Sequence, residues 1–215
     1  MAESSENIIR RKTYETGIMK QDFDIKIAQT AEEIQAAMQL RREVFVEEEG
    51  VPEDKEFDGN DFVCCTHFYA KDKDNVIGCV RARFFPDFVK LERLCCRKEY
   101  RKTPLASQLM EYAYAFCEYK GYDKAVGYCT KSLLPYWQKS GFIPRNDIPV
   151  KKVGNMELYT IQRNLTPSAN GISIERPETL LENESGMACR DFVKRKALSI
   201  INGLKRHKEA NARSE

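Results

Sequence analysis

Leu91-Glu92-Arg93-Leu94-Cys95-Cys96-Arg97-Lys98-Glu99-Tyr100-Arg101-Lys102-Thr103-Pro104-Leu105-Ala106-Ser107-Gln108-Leu109-Met110 is the stretch whose reading decides the fold. Its first part, continuous with Val89 and Lys90, has the length and composition of a strand. Its last part opens a helix, because Leu105, Leu109, Tyr112, Ala113 and Phe116 recur at helical spacing. Thr103 before Pro104 is a favourable N-cap and first-turn pair: the hydroxyl accepts an orphan N–H, and proline has no N–H to leave unsatisfied. A basic turn, residues 97–102, joins the two. A strand that passes through a cationic turn into a helix N-terminus is an anion site in outline, since free N–H groups and the positive dipole end face the ligand. A pyrophosphate fits it. Ala106 and Ser107 are small enough for close approach to the backbone, and Arg101 and Lys102 add charge.

Working outward, Phe23-Asp24-Ile25-Lys26-Ile27-Ala28 alternates apolar and polar residues and predicts a first strand. Thr30 with Glu33 reads as a capping box, opening a helix carried by Ile34, Met38 and Phe45 and expected to end before the acidic run Glu47-Glu48-Glu49. Strands are predicted over residues 62–70 and 76–84 with a turn at 72–75, and the strand at 89–96 makes a third antiparallel member. After the long helix, Gly121 stands at the C-terminal cap position. A strand over 124–129, a short helix near 134–140 and a last strand over 156–163 follow. The order β, α, three β, α, β, α, β predicts an α+β (mixed α/β) domain: a mostly antiparallel sheet with one β-α-β crossover. Residues 22–165 would form this domain, residues 1–21 a flexible arm, and residues 166–215 a polar linker and a basic C-terminal helix.

Composition narrows the function. With 35 basic and 33 acidic residues the net charge is +2, so polyanion binding would need a local patch. The eight cysteines include two adjacent pairs, Cys64-Cys65 and Cys95-Cys96, in strand-like stretches, and no CxxC spacing occurs. With only His67 and His207 to add imidazoles, no metal site is expected, and buried free thiols are the simplest reading. No apolar leader and no membrane-length apolar stretch is present, which makes the cytoplasm the expected location.

The helix-opening segment Arg101-Lys102-Thr103-Pro104-Leu105-Ala106 resembles the acyl-CoA motif of the GNAT acetyltransferases, Q/R-x-x-G-x-G/A. Downstream, Tyr136-Trp137-Gln138-Lys139-Ser140-Gly141-Phe142 is similar to that family's F-Y-E-x-x-G-F. Upstream, Arg41-Arg42-Glu43-Val44-Phe45-Val46-Glu47 and Glu56-Phe57-Asp58-Gly59-Asn60-Asp61 resemble a bacterial branch of small acetyltransferases. The resemblance implies the GNAT fold and transfer of an acyl group, acetyl foremost, from acetyl-CoA or another acyl-CoA to a primary amine by direct attack in a ternary complex. It implies a cofactor-binding set of Leu94, Cys95, Cys96, Arg101, Lys102, Thr103, Leu105, Ala106 and Ser107. Pro104 departs from the motif's first glycine and removes one N–H, leaving those of Leu105, Ala106 and Ser107 for phosphate.

An amine must be neutral to attack a thioester, and a lysine-like amine has a pKa of about 10.4. A carboxylate acting directly or through water can take the proton. The resemblance puts Glu92 in that role, with a salt bridge to Arg93 or Lys90 as the alternative for the same side chain. Backbone N–H groups of Leu94 to Cys96 would polarise the thioester carbonyl, as on the family's splayed strand. Counting back from Gly141, the family's tyrosine acid falls on Trp137, which does not titrate usefully. Its neighbour Tyr136 is the candidate acid, with simple helix packing as the alternative.

Arg41, Phe45, Asp58, Asp61 and Arg81 also resemble the substrate-shaping residues of acyl-homoserine-lactone synthases, which share the core, although the tryptophan expected after the phenylalanine is missing. An activity of that kind is one alternative, and a non-catalytic acyl-CoA-binding module another. In the C-terminal extension Val193, Ala197, Ile200, Ile201 and Leu204 share one helical face beside a basic face. Docking on the domain or on a second copy in a homodimer is the reading preferred to a membrane or nucleic-acid contact.

Overall fold

The computed structural model describes residues 23–153, 156–181, 183 and 193. The arm expected over residues 1–21 and the basic C-terminal helix lie outside the described residues, apart from Val193, which is buried in the main core. In chain order the elements are β1 (Ile25–Ile27), α1 (Ala31–Arg41), α2 (Glu53–Glu56), β2 (Cys65–Asp72), β3 (Asn75–Phe84), β4 (Val89–Cys96), α3 (Leu105–Tyr119), β5 (Lys124–Cys129), α4 (Leu134–Lys139), β6 (Ile143–Pro144), β7 (Lys151–Val153), β8 (Met156–Asn164) and α5 (Glu178–Leu181). The strands form one sheet in the order β1-β2-β3-β4-β5-β8-β6, with β7 paired to β8. The β4–β5 pairing is parallel and the other described pairings are antiparallel, which is the mixed sheet expected from the element order.

Strand periodicity sorts the core onto two faces. Phe68, Val80, Leu91 and Cys96 pack with Leu105, Leu109 and Phe116 of α3 on one side. Their neighbours Tyr69, Cys79 and Cys95 pack with Ala37, Leu40 and Val44 on the other. Adjacent cysteines thus point to opposite faces, as a pleated strand requires, and both faces are covered. Gly78 is where α3 comes closest to the sheet: a Cβ there would lie 2.9 Å from Leu105 Cδ2. α1 begins with the predicted capping box, Glu33 N–H donating to Thr30 Oγ1 and the Glu33 carboxylate accepting from Thr30 N–H.

Three details depart from the sequence reading. The first helix does not stop before the acidic run; after Arg41 it widens into a π-helical segment, Arg42–Glu48, that ends at Gly50 (φ 71°). The wide turn keeps Leu40 and Val44 on the core while Arg41 enters a buried ion cluster. β2 starts at Cys65 rather than at residue 62: Asp61 is drawn into that cluster, Cys64 takes a positive φ of 46°, and Phe62 and Val63 are left exposed. The short β6 and β7, without a periodic run of their own, form against β8.

Candidate active site

The parallel pair creates an opening. β4 and β5 are in register only at Val89↔Ala125 and Lys90↔Val126, after which they diverge while β5 goes on pairing with β8. Gly127 marks the closed end of the wedge, since a Cβ there would lie 3.3 Å from Leu91 O. Just beyond, β4 carries a bulge: the β3 pairing runs from Arg81↔Glu92 to Cys79↔Cys95, so Arg93 and Leu94 oppose the single residue Val80, and Arg93 adopts a φ of 59°. A bulge twists a strand and turns its backbone groups out of the ladder. This one lies where the strand borders the wedge, so Leu94, Cys95 and Cys96 line the diverging edge.

The wedge leads to the N-terminus of α3. Gln108 N–H to Pro104 C=O is the first helical hydrogen bond, so the N–H groups of Ala106 and Ser107 precede the ladder and face outward. The helix starts one residue later than expected, with Pro104 and not Thr103 at the N-cap position. Leu105, expected to offer its N–H as well, donates it to Thr103 Oγ1 at 3.3 Å, which corrects the count of free amides from three to two. Arg101 reaches back to Cys96 O (3.1 Å) and pairs with Glu48 (2.5 Å), while Lys102 is exposed. The remaining free amides, the small side chains at Ala106 and Ser107 and the exposed ammonium make a cradle that fits a pyrophosphate.

On the opposite side of β4 lies the ion cluster. Arg41 and Arg81 are 1% and 0% exposed. Arg41 donates to Glu56 Oε1 (2.6 Å) and pairs closely with Asp61; Arg81 donates to Asp61 (2.7 Å), to both oxygens of Asp58 (3.1 and 2.9 Å) and to Glu92 (2.7 Å). The structure thus brings together four of the five residues proposed to shape an acceptor site, while Phe45 packs against the core below α1. Glu92 pairs with Lys90 and Arg81, not with Arg93, which turns to Glu56 (2.8 Å) because the bulge re-aims it. Burial would raise the Glu92 carboxyl, but Arg81 and Lys90 outweigh it and hold it below the ordinary glutamate range. Asp58 is likewise held low, against its desolvation, chiefly by Arg81. Sequence reasoning missed Arg93 as a cluster member; its positive φ leaves no mark in composition.

Residues 34–142 match the model of the "Acetyltransferase (GNAT) family". The chain belongs to the GNAT acetyltransferase family. It is 31% identical over 122 residues to YyaT of Bacillus subtilis, an alignment covering 56% of this chain and 82% of that protein. Among solved structures it superposes on an acyl-CoA N-acyltransferase from Pseudomonas aeruginosa with a TM-score of 0.60 and 25% identity, covering 66% of this chain and 99% of that one. It also superposes on the CoA-dependent acyl-homoserine lactone synthase BjaI, solved with SAM and isopentyl-CoA, with a TM-score of 0.59, 16% identity, and coverage of 82% and 100%. The two superpositions place the sheet, the wedge and the crossover in the GNAT fold.

In this GNAT chain the two aromatic residues expected near the family's tyrosine differ in surroundings. Trp137 packs edge-on against Phe142 (5.2 Å) as part of the core, and Tyr136 lies against it at 5.3 Å. Tyr136 remains 42% exposed, and its phenol is pushed up by desolvation and then by the Cys96 thiol, which links it to the end of β4. It therefore keeps its proton at neutral pH. The Cys96 thiol itself is pushed up to about 12 by burial, so it is no nucleophile. Among the described residues no group of three or more His, Cys, Asp or Glu side chains is arranged to hold a metal, and no helix is long and apolar enough to cross a membrane.

Proposed function

We propose that this GNAT member is a cytoplasmic acyl-CoA-dependent N-acyltransferase that moves acetyl from acetyl-CoA to a primary amine in a ternary complex, with no covalent enzyme intermediate. The observation that carries the reading is the wedge: two strands that diverge directly after Lys90↔Val126, a bulge at Arg93 on one edge, and a helix N-terminus with free amides at its mouth. An extended thioester laid in the wedge would have its phosphates at Ala106 and Ser107 and its carbonyl near the N–H groups of Leu94 to Cys96, which would stabilise negative charge developing on oxygen. Glu92 would accept the amine proton, through water because Arg81 and Lys90 hold its carboxylate. Tyr136 would return a proton to the departing thiolate.

The test begins with binding. Acetyl-CoA at a hundredfold excess over its Kd should stabilise the protein by about 2.7 kcal/mol, seen as a thermal shift. Thiol release should then follow when amines are added. Absence of any shift with acetyl-CoA or a long-chain thioester would overturn the reading. The synthase-like alternative draws on the assembled Arg41, Asp58, Asp61 and Arg81 and on the likeness to BjaI. It requires thiol release with S-adenosylmethionine as the amine and a preference for longer acyl chains. A thermal shift without turnover of any amine would instead favour the binding module.

A further inference from the structure

The acceptor side of the wedge has a definite charge. Sheet register puts Arg83 opposite Lys90 and Lys90 beside Val126, with Arg81 opposite Glu92 in the next row. Two residues on from Val126 and on the same face, Tyr128 is exposed, and two ammonium groups sit over its ring: Lys90 at 5.2 Å and Lys151 of β7 at 6.0 Å. Arg83 is fixed nearby, donating to Asn60 Oδ1 (2.9 Å) and stacked on Phe85 at 5.3 Å, with a guanidinium nitrogen 3.8 Å from Glu92. Glu92 pairs with the fully buried Arg81 as well as with Lys90, so it keeps a cation when Lys90 turns away. Lys90 and Lys151 thus meet over the Tyr128 ring, and Arg83, on Phe85, stands opposite Lys90 in the register. Of the carboxylates between residues 47 and 54, Glu48 pairs with Arg101, Glu53 with Arg42 and Asp54 with Lys55.

We infer that the acceptor is an amino acid, an amine whose carboxylate is held by Arg83, Lys90 and Lys151 beside Tyr128 while its nitrogen faces the wedge next to Glu92. This rests on the acetyl-transfer reading and adds the substrate class. A carboxylate that draws Lys90 toward itself also removes one of the two cations that hold Glu92 low. The substrate's own charge then makes Glu92 a better proton acceptor. An amine without the acid group leaves the Lys90–Glu92 pair closed.

The test uses the full chain with acetyl-CoA and compares amino acids with their matched amides and decarboxylated amines, reading thiol release. Expected is a kcat/KM for the amino acids roughly tenfold or more above that for the neutralised analogues, the scale of one charge-assisted hydrogen bond. In Lys151→Met and Arg83→Met that ratio should collapse toward one, and Lys151 is not among the cations that pair with Glu92, so its loss keeps the proton acceptor in place. Amines acetylated with a ratio near one, or with the decarboxylated analogues preferred, would overturn the inference and leave the acetyl-transfer reading standing. Thioester binding without turnover of any amine, or no thioester binding, would remove both.

Discussion

At Glu92 burial and charge pull in opposite directions, and the charges win. A carboxylate held low by Arg81 and Lys90 is ionised throughout the neutral range, so it can receive a proton but is a weak base. Glu92→Gln keeps the shape and one acceptor for Arg81 while removing proton uptake. The expected result is a fall in kcat of about a hundredfold or more, with acetyl-CoA affinity retained, checked by steady-state kinetics beside a thermal-shift titration. A kcat within a few-fold of wild type would leave Glu92 a structural anion. Tyr136→Phe removes only a hydroxyl on a half-exposed ring, so the melting temperature should hardly move. Its signature is kinetic: the alkaline limb of the kcat profile, where loss of the raised phenol's proton ends activity, should disappear along with a tenfold or larger drop in rate. An unchanged alkaline limb would return the acid role to water.

Single elements carry their own arguments, above all the start of α3. Thr103 caps Leu105, Pro104 has no N–H, and two free amides remain where the family's motif allows more. Pro104→Ala restores a donor at the helix mouth while keeping good helix propensity. Acetyl-CoA should bind about tenfold or more tighter, since a hydrogen bond to a charged group contributes roughly 1.5–3 kcal/mol. Calorimetric titration of both proteins decides it, and equal or weaker binding would mean that the pyrophosphate does not use this turn. α3, β4 and β5 were legible from sequence because each carries an unbroken period of its own, and β4 and β5 have the bounds that the pattern predicted. The bulge at Arg93, the π-helical turn after Arg41 and the short β6 and β7 were not, because each arises from a contact made elsewhere in the chain. Arg41, Asp58, Asp61 and Arg81 were found through resemblance, not periodicity, and their mutual pairing became visible only once β3 and the 57–61 loop were folded together.

For the molecule as a whole, the ion cluster joins α1, α2, the 57–61 loop, β3 and β4 through five cations and four carboxylates: Arg41, Arg81, Arg83, Lys90 and Arg93 with Glu56, Asp58, Asp61 and Glu92. Such a cluster adds little net stability over an apolar core, but removing one member strands the rest. Arg81→Met should cost about 3–5 kcal/mol near neutral pH, because Asp58, Asp61 and Glu92 lose a shared cation. The pH dependence then has a definite sign. Asp58, Asp61 and Glu92 have folded values below their unfolded ones, so the stability they contribute is fully present above about pH 4 and drains as the pH falls through their depressed values. Without Arg81 those values move up, and the variant has less left to lose on acidification. Glu56, raised because burial outweighs its arginine partners, also loses Arg81 in the variant and rises further, so it penalises the variant near neutral pH and is relieved in acid, in the same direction. The gap in melting temperature between wild type and Arg81→Met should therefore be widest near pH 7 and shrink as the pH approaches 3. If Arg81→Met is too unstable to purify, Arg81→Lys, which keeps the charge and loses the fork, should give a smaller gap with the same trend. A gap that holds constant or widens in acid would show that Arg81 acts through packing and not through these carboxylates.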